Sequence, residues 1–174
     1  MTKFNDSTSK DDVIIKEGEK PSSFSFFDRE GKKYELDDIT GRKNIVIYFY
    51  PKDFTTGCTI QAQEFTDNYE KFIENDIEII GISPDPEESH LKFRQKMNIP
   101  YMLASDKNNL ISKKYGVYGL KKFMGKEYYG INRSTFLVDK KGRIMKIFQK
   151  VKPAGHSMEI LEYFIKKDDM NKIV

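Results

Sequence analysis

Residues 45–65 read IVIYFYPKDFTTGCTIQAQEF, and they set the architecture expected for the whole chain. Residues 45–50 form an unbroken apolar and aromatic run, which is typical of a strand buried on both faces of a parallel sheet. Later apolar residues recur at the spacing of one stripe on a helix. These are Phe65, Tyr69, Phe72 and Ile73. The loop PKDFTTGC is therefore predicted to join the end of a central strand to the first turn of a helix.

Cys58, the only cysteine of the chain, lies at the end of this loop. The first N–H groups of a helix have no partner within it, and the helix dipole makes that end electropositive. Such a position stabilises a thiolate, so the sequence predicts that Cys58 is reactive and largely ionised at neutral pH. The alternative is an inert, buried thiol that packs like a small apolar side chain.

The composition argues against several classes of protein. Of the 174 residues, 30 are Lys or Arg and 27 are Asp or Glu, which leaves a net charge of only +3. This small and evenly spread excess does not indicate specific nucleic-acid binding, and no apolar run reaches transmembrane length. One cysteine allows no intramolecular disulfide, and the N-terminus lacks a secretory signal. We therefore expect an intracellular, cytoplasmic protein.

The predicted elements indicate one α/β domain. Residues 1–12 are expected to be a flexible N-terminal tail, residues 13–167 the domain and residues 168–174 a frayed C-terminal tail. An N-terminal hairpin comes first, strands then alternate with helices, and an antiparallel hairpin with a last helix closes the chain. This order predicts an α/β three-layer sandwich with a mixed central sheet flanked by helices.

Further strands, helices and one long loop are predicted after the first helix. Further strands are expected at residues 77–82, 102–104, 133–139 and 144–148, and further helices at residues 87–97, 109–115 and after Gly155. Residues 116–130 are expected to form a loop rich in Gly and Tyr. Its tyrosines either line the entrance to a site or belong to a loop that is only packed.

Pro51, Thr55 and Cys58 follow the spacing Pro-x-x-x-Thr-x-x-Cys, which resembles the active-site signature of the peroxiredoxins. Other segments resemble the bacterioferritin-comigratory (PrxQ) subfamily over roughly residues 13–167. They are GISPDPEESHLKF, KKYGVYG, GKEYYGINRSTFLVDKKGRI and KVKPAGH. The resemblance implies a thioredoxin-like fold and the reduction of hydrogen peroxide or organic hydroperoxides by a peroxidatic cysteine, with no cofactor and no metal.

The resemblance also implies a role for four residues. The Cys58 thiolate attacks a peroxide oxygen and becomes a sulfenic acid. Thr55 holds the peroxide as hydrogen-bond acceptor and donor, and Pro51 shields the thiolate from water. Arg133, in the context NRSTF, donates hydrogen bonds to thiolate and peroxide. From the residues alone these three would be a helix N-cap, a strand terminator and a surface arginine.

This sequence departs from the subfamily pattern at three positions. Thr56 stands where proline is common, which loosens the loop, and Gln61 stands where an acid is often found. Many members carry a resolving cysteine five residues after the peroxidatic one, but here that residue is Gln63. The reductant is therefore expected from outside: thioredoxin, glutaredoxin with glutathione, or another small thiol. The resemblance further implies a monomer or weak homodimer.

Other classes of function fit the residues less well. A thioredoxin-type disulfide exchanger needs Cys-x-x-Cys, whereas this chain has Thr55-x-x-Cys58. A cysteine hydrolase needs a histidine base, but His90 and His156 are expected on a solvated helix or loop, and so few ligands also argue against a zinc site. A peroxide sensor, or a thiol-dependent binding or chaperone-like protein, would use the same cysteine and is our second hypothesis.

Overall fold

A mixed seven-stranded sheet runs through the part of the chain that the computed structural model describes, residues 15–28 and 30–172. Its strands are β1 (Ser25–Phe27), β2 (Lys33–Glu35), β3 (Asn44–Phe49), β4 (Ile77–Ser83), β5 (Met102–Ser105), β8 (Ser134–Val138) and β9 (Ile144–Phe148). A separate two-stranded sheet consists of β6 (Tyr118–Phe123) and β7 (Lys126–Ile131). The helices are α1 (Thr56–Asp67), α2 (Tyr69–Glu74), α3 (Glu87–Met97), α4 (Leu110–Lys114) and α5 (His156–Lys172). The expected N-terminal tail, residues 1–12, lies outside the described residues.

The strand order in the large sheet is β2-β1-β5-β4-β3-β8-β9. β4 pairs in parallel with both β3 and β5, as strands joined by helical crossovers do. β3 pairs antiparallel with β8, β8 with β9, and β1 with β2 in the N-terminal hairpin. All six residues of β3 are buried, because the sheet is covered on both faces. The predicted α/β fold with a mixed central sheet, flanking helices and an N-terminal hairpin is thus confirmed.

Successive side chains of β3 enter two apolar clusters on opposite faces of the sheet, as the pleat of a strand requires. Val46 and Tyr48 belong to the cluster that also contains Cys58 and Phe65 of α1. The intervening residues Ile45, Ile47 and Phe49 belong to the other cluster. The helix that carries the cysteine is therefore packed against one face of the sheet through Cys58 and Phe65.

The single helix predicted after Cys58 is wrong, because the structure divides it at Asn68 into α1 and α2. The backbone of Asn68 has φ of −100° and ψ of 4°, and its side-chain amide donates to the Glu64 carbonyl and to Ser157 Oγ of α5. Such side-chain bonds compete with the regular helix ladder. The break turns the residues of α2 relative to those of α1, so Ile73 does not share the buried face predicted for it and is exposed.

The loop predicted at residues 116–130 is also wrong, because most of it forms the hairpin β6–β7. The chain reverses at Met124 and Gly125, both of which have positive φ, 50° and 78°, the requirement of the tight turns that favour hairpins. Most side chains of the two strands are half-buried or exposed. No strict alternation of apolar and polar residues was therefore present to reveal them.

Helix α5 continues to Lys172, five residues into the segment 168–174 that the sequence assigned to a tail. Every residue from Ile165 to Lys172 is exposed, so this part of the helix has no apolar stripe by which its pattern could be recognised. Residues 173 and 174 lie outside the described part. Within residues 15–28 and 30–172, none of the helices is both long and apolar enough to cross a membrane.

Candidate active site

Cys58 lies in the first turn of α1, directly beyond the carboxyl end of β3. Thr55 is the N-cap residue, with φ of −75° and ψ of 156°, and its carbonyl accepts the first helical bond, from the Thr59 N–H at 2.9 Å. Cys58 is only 2% exposed. The sulfur therefore occupies the electropositive end of a helix and is shielded from bulk water.

Arg133 reaches the sulfur from the neighbouring strand. It immediately precedes β8, and the antiparallel register that pairs Phe49 with Ser134 brings it to the end of β3 from which the loop departs. Its Nη2 donates a hydrogen bond to Cys58 Sγ at 3.2 Å, across 75 positions of sequence. A donor that carries a full positive charge stabilises a thiolate more than a neutral thiol.

Gln61, one turn after Cys58 on α1, holds the other arm of the same guanidinium. Arg133 Nη1 donates to Gln61 Oε1 at 2.5 Å, and Gln61 is buried. The amide orients the arginine without carrying a charge of its own. Where the resemblance led us to expect an acid, Gln61 carries no negative charge that would offset the positive charge of Arg133 beside the sulfur.

Gly57 allows the guanidinium to lie close to the first turn of α1. A Cβ placed at Gly57 would be 3.1 Å from Arg133 Nη2 and 3.3 Å from Pro153 Cγ. Both distances are shorter than an ordinary van der Waals contact between heavy atoms. The missing side chain at this position therefore permits the contact between Arg133 and Cys58.

We expect Gly57→Ala to slow the reaction with hydrogen peroxide about tenfold, because displacing the guanidinium weakens one charge-assisted bond. Alanine favours a helix over glycine by about 1 kcal/mol, so the free energy of unfolding should not fall comparably. Stopped-flow kinetics and urea unfolding measure the two effects. The matched control is Gly119→Ala, whose Cβ would meet its nearest neighbour, Asn132 Nδ2, at 3.6 Å. Equal rates in the two variants would contradict the prediction.

Thr55 and Pro51 lie in the same loop as Cys58, and neither is hydrogen-bonded to its sulfur. Thr55 Oγ1 donates to the Lys52 carbonyl at 2.8 Å, and it makes no side-chain capping bond to α1. Its hydrogen is thus committed in this structure, so of the acceptor and donor roles expected for Thr55 the oxygen offers a ligand only the acceptor role. Pro51 is half-buried at the start of the loop. Of the predicted site residues within the described chain, the structure brings Arg133 and Cys58 into hydrogen-bond contact, and it records no such bond between Thr55 and the sulfur.

Lys121 on β6 is a second basic side chain near the site, after Arg133. Its Nζ donates to the carbonyl of Ile131 at 2.8 Å, two residues before Arg133. Burial, and secondarily repulsion by Arg133, lower the pKa of Lys121 below its usual value, while a thiolate at Cys58 acts in the opposite direction. The hairpin β6–β7 therefore lies within electrostatic range of the cysteine.

Asp53, a buried residue of the loop itself, was not predicted from the sequence. The residue is 2% exposed, and its carboxylate accepts hydrogen bonds from the Tyr50 hydroxyl at 2.6 Å and from Ser89 Oγ at 2.9 Å. His90 Nδ1 lies 2.7 Å from the same carboxylate. Aspartate is common in exposed loops, and two of these partners, Ser89 and His90, lie on α3, so no local pattern marked Asp53 as buried.

The expectation that His90 and His156 are solvated is wrong, since they are only 2% and 4% exposed. Inside the fold His156 hydrogen-bonds to Thr135 Oγ1 at 2.9 Å and to the Glu159 carboxylate at 3.1 Å. Burial lowers the pKa of His156 below its usual value, although the Glu159 carboxylate partly opposes this effect. Neither ring is hydrogen-bonded to Cys58 in the structure, which leaves the hydrolase hypothesis without a base at the sulfur.

Comparison with known proteins gives one consistent family. The AhpC/TSA family matches residues 18–147. The chain is 46% identical to peroxiredoxin Bcp of Bacillus subtilis over 150 residues, which cover 86% of this chain and 95% of the relative. It is 36% identical to peroxiredoxin Bcp of Escherichia coli over 149 residues, with the same coverage, 86% and 95%. A cysteine-to-serine variant of Xanthomonas campestris peroxiredoxin Q superposes with a TM-score of 0.76 at 33% identity, covering 83% of this chain and 91% of that one.

These matches extend through the loop that carries Cys58 and through the sheet that supports it. The shared architecture is the thioredoxin-like α/β sandwich, as the resemblance implied. Both the identity and the coverage are far above what a common fold alone would produce. The chain therefore belongs to the AhpC/TSA family and, within it, is a peroxiredoxin of the Bcp/PrxQ type, a thiol peroxidase.

Proposed function

We propose that this peroxiredoxin reduces hydrogen peroxide and organic hydroperoxides through Cys58 as its single redox-active cysteine, with an external thiol as reductant. The observation that carries the proposal is the 3.2 Å hydrogen bond from Arg133 to the sulfur in a site where Cys58 is 2% exposed. The thiolate is the nucleophilic form of cysteine, and a fixed cation hydrogen-bonded to the sulfur stabilises the negative charge during the attack.

In the first step the Cys58 thiolate attacks one oxygen of the peroxide. A sulfur–oxygen bond forms and the oxygen–oxygen bond breaks, so that the leaving oxygen departs with the electron pair and takes up a proton as water or alcohol. Cys58 becomes a sulfenic acid. Negative charge moves from sulfur to oxygen during the attack, and the Arg133 guanidinium stabilises it at both positions.

Thr55 and Pro51 are assigned supporting roles in this step. With its own hydrogen on the Lys52 carbonyl, the Thr55 oxygen accepts the hydrogen of the peroxide and so aligns the two peroxide oxygens with the sulfur. An aligned approach of the reacting atoms lowers the barrier of a displacement. The Pro51 ring, which carries no N–H, limits the access of water to the thiolate.

The second step requires a thiol from another molecule, because the chain contains no cysteine besides Cys58. Gln63, at the place of the usual resolving cysteine, is exposed and donates to Asp67 Oδ1 at 2.7 Å. An external thiol attacks the sulfenic sulfur and releases water, and a second thiol attacks the mixed disulfide and regenerates Cys58. Thioredoxin supplies both thiols in one molecule, and glutathione with glutaredoxin, or another small thiol, supplies them in sequence.

The proposed assembly is a monomer or weak homodimer in the cytoplasm. Cys58, Gln61 and Arg133 all come from one chain, so the first step needs no second copy. A reducing compartment supplies the thiols that the second step consumes.

Counting turnovers tests the proposal. The protein is mixed with an excess of hydrogen peroxide and of either dithiothreitol or thioredoxin with its reductase, and the peroxide consumed per protein molecule is measured. We expect many equivalents to be consumed. One equivalent followed by a halt, with both reductants, would instead support the peroxide sensor or thiol-dependent binding protein.

A further inference from the structure

We infer that a buried ion pair between Asp53 and His90 positions the loop that joins β3 to Cys58, and that both are positioning residues of the peroxidase reaction. The claim that these residues serve the peroxidase reaction rests on the proposed function, whereas the ion pair is a property of the fold that is tested separately. Asp53 stands five residues before Cys58 in the loop PKDFTTGC.

The Asp53 carboxylate is surrounded by hydrogen-bond donors. The Tyr50 hydroxyl donates to Oδ1 at 2.6 Å, and Ser89 Oγ donates to Oδ2 at 2.9 Å. Burial, and then the charge of Asp53, raise the pKa of Tyr50 well above its usual value, so this hydroxyl keeps the hydrogen that it donates. Several donors directed at one buried carboxylate stabilise its ionised form.

The ring of His90 faces a hydrogen-bond acceptor on each side. Its Nδ1 lies 2.7 Å from Asp53 Oδ2, and its Nε2 lies 3.1 Å from the carbonyl oxygen of Ala104 on β5. The Tyr50 hydroxyl is farther from Nδ1, at 3.4 Å, and donates its hydrogen to Asp53 Oδ1. Beside an ionised Asp53, a neutral imidazole, which has only one N–H, would direct the lone pair of its other nitrogen at an oxygen lone pair. A doubly protonated ring donates to both acceptors and completes an ion pair with Asp53.

The backbone of Asp53 is fixed as well as its side chain. Its N–H donates to Asp85 Oδ2 at 2.8 Å, and the same oxygen accepts from Ser83 Oγ at 2.6 Å. One side-chain donor atom from each of Asp53, Asp85 and His90 lies within 4.8 Å of the other two, a spacing that could hold a metal ion. Such an ion would have to break the hydrogen bond between His90 Nδ1 and Asp53 Oδ2.

The anchored residue stabilises an unfavourable backbone conformation next to it. Phe54 has a φ of 65°, in the left-handed region that a side chain with a Cβ rarely adopts. Thr55, which follows, is the N-cap residue of α1 and donates its hydroxyl hydrogen to the Lys52 carbonyl. Loss of the anchor would allow residues 52–55 to relax, which would move Thr55 and the first turn of α1 relative to Arg133. The ion pair thereby acts on Cys58 without touching it.

The first test is spectroscopic and uses the unmodified protein. The chain has two histidines, so ¹⁵N NMR of histidine-labelled protein at pH 7 gives two ring systems, which a His156→Gln sample assigns. We expect both nitrogens of the His90 ring to be protonated and the His156 ring to be neutral. A single proton on His90 would overturn the ion pair, whatever the peroxidase assay shows.

The second test is kinetic. Asp53→Asn keeps the shape of the side chain but removes its charge, so we expect a neutral His90 ring and a reaction with hydrogen peroxide about tenfold slower. The matched control is Asp106→Asn, another buried aspartate, whose carboxylate accepts from the N–H groups of Ile111 and Ser112 on α4 at 2.7 and 2.9 Å. It should lose stability but react within about twofold of the wild-type rate.

Three outcomes of the kinetic test would overturn the positioning role. They are an Asp53→Asn rate within twofold of the wild-type rate, equal losses of rate in Asp53→Asn and Asp106→Asn, or a loss of rate that follows the loss of stability. If Asp53→Asn does not fold, Ser89→Ala removes one donor from the carboxylate and should slow the reaction two- to fivefold, and an unchanged rate would count against the role. If His90 is doubly protonated in the wild-type protein but the protein does not turn over peroxide, the proposed function is refuted and the ion pair is still supported.

Discussion

Cys58→Ser is expected to abolish peroxide turnover, with a loss of more than about a thousandfold. The reaction requires a sulfur that is ionised, attacks the peroxide and returns from the sulfenic state, and a serine hydroxyl does none of these at neutral pH. No other cysteine of the chain can substitute for it. Peroxide consumption coupled to the oxidation of NADPH by thioredoxin reductase and thioredoxin measures the effect.

The fold should survive this substitution, because serine is nearly the same size as cysteine and the site lies in the first turn of α1. Circular dichroism and thermal unfolding of Cys58→Ser should therefore match the wild-type protein closely. Residual turnover in a folded variant would show that Cys58 is not the nucleophile. Residual reaction with peroxide in a single turnover would point to a different oxidisable group.

Removing the guanidinium is expected to have the second-largest effect. Arg133→Met keeps most of the side-chain volume but deletes the bond to Cys58 Sγ. A hydrogen bond to a charged group is worth about 1.5–3 kcal/mol, which corresponds to a rate about ten- to a hundredfold lower. Stopped-flow kinetics of the reaction with hydrogen peroxide measure this rate.

Arg133→Lys separates charge from geometry. A lysine ammonium keeps the positive charge, but it lacks the planar guanidinium whose two Nη atoms donate to Gln61 and to Cys58 at the same time. We expect a rate between those of the wild type and Arg133→Met. Arg143→Met, an exposed position in the β8–β9 turn, is the matched control and should leave the rate unchanged. Equal rates for Arg133→Met and Arg143→Met would refute the role of Arg133.

Local patterns predicted much of the fold. The apolar run in β3 and the helical spacing after Cys58 are properties of neighbouring residues, because strand and helix periodicity repeat within a few positions. They placed Cys58 at a helix N-terminus, and the structure has it there. The hairpin β6–β7 and the end of α5 were missed for the complementary reason. Their exposed side chains carry no pattern of burial, so their structure depends on backbone pairing and helix propensity.

The partners of the site were much less accessible to sequence reasoning. By its residues alone Arg133 was a surface arginine at the start of a strand, and the family resemblance assigned it to the site. Gln61 was seen only as a departure from a pattern, and Asp53 was not recognised. Each becomes informative only when its hydrogen-bond partner is known.

The sequence by itself determined the α/β class, the helix N-terminus that carries the sulfur, and the lack of any second thiol in the chain. The tertiary structure decided that Arg133 reaches this sulfur, since the contact depends on the register of β3 against β8 across 75 positions. It also decided that His90 is buried against Asp53, 37 positions away. Periodicity reports which face of one element is apolar, whereas a charged contact depends on how separate elements pack. Only the packed fold therefore defines the charges around Cys58.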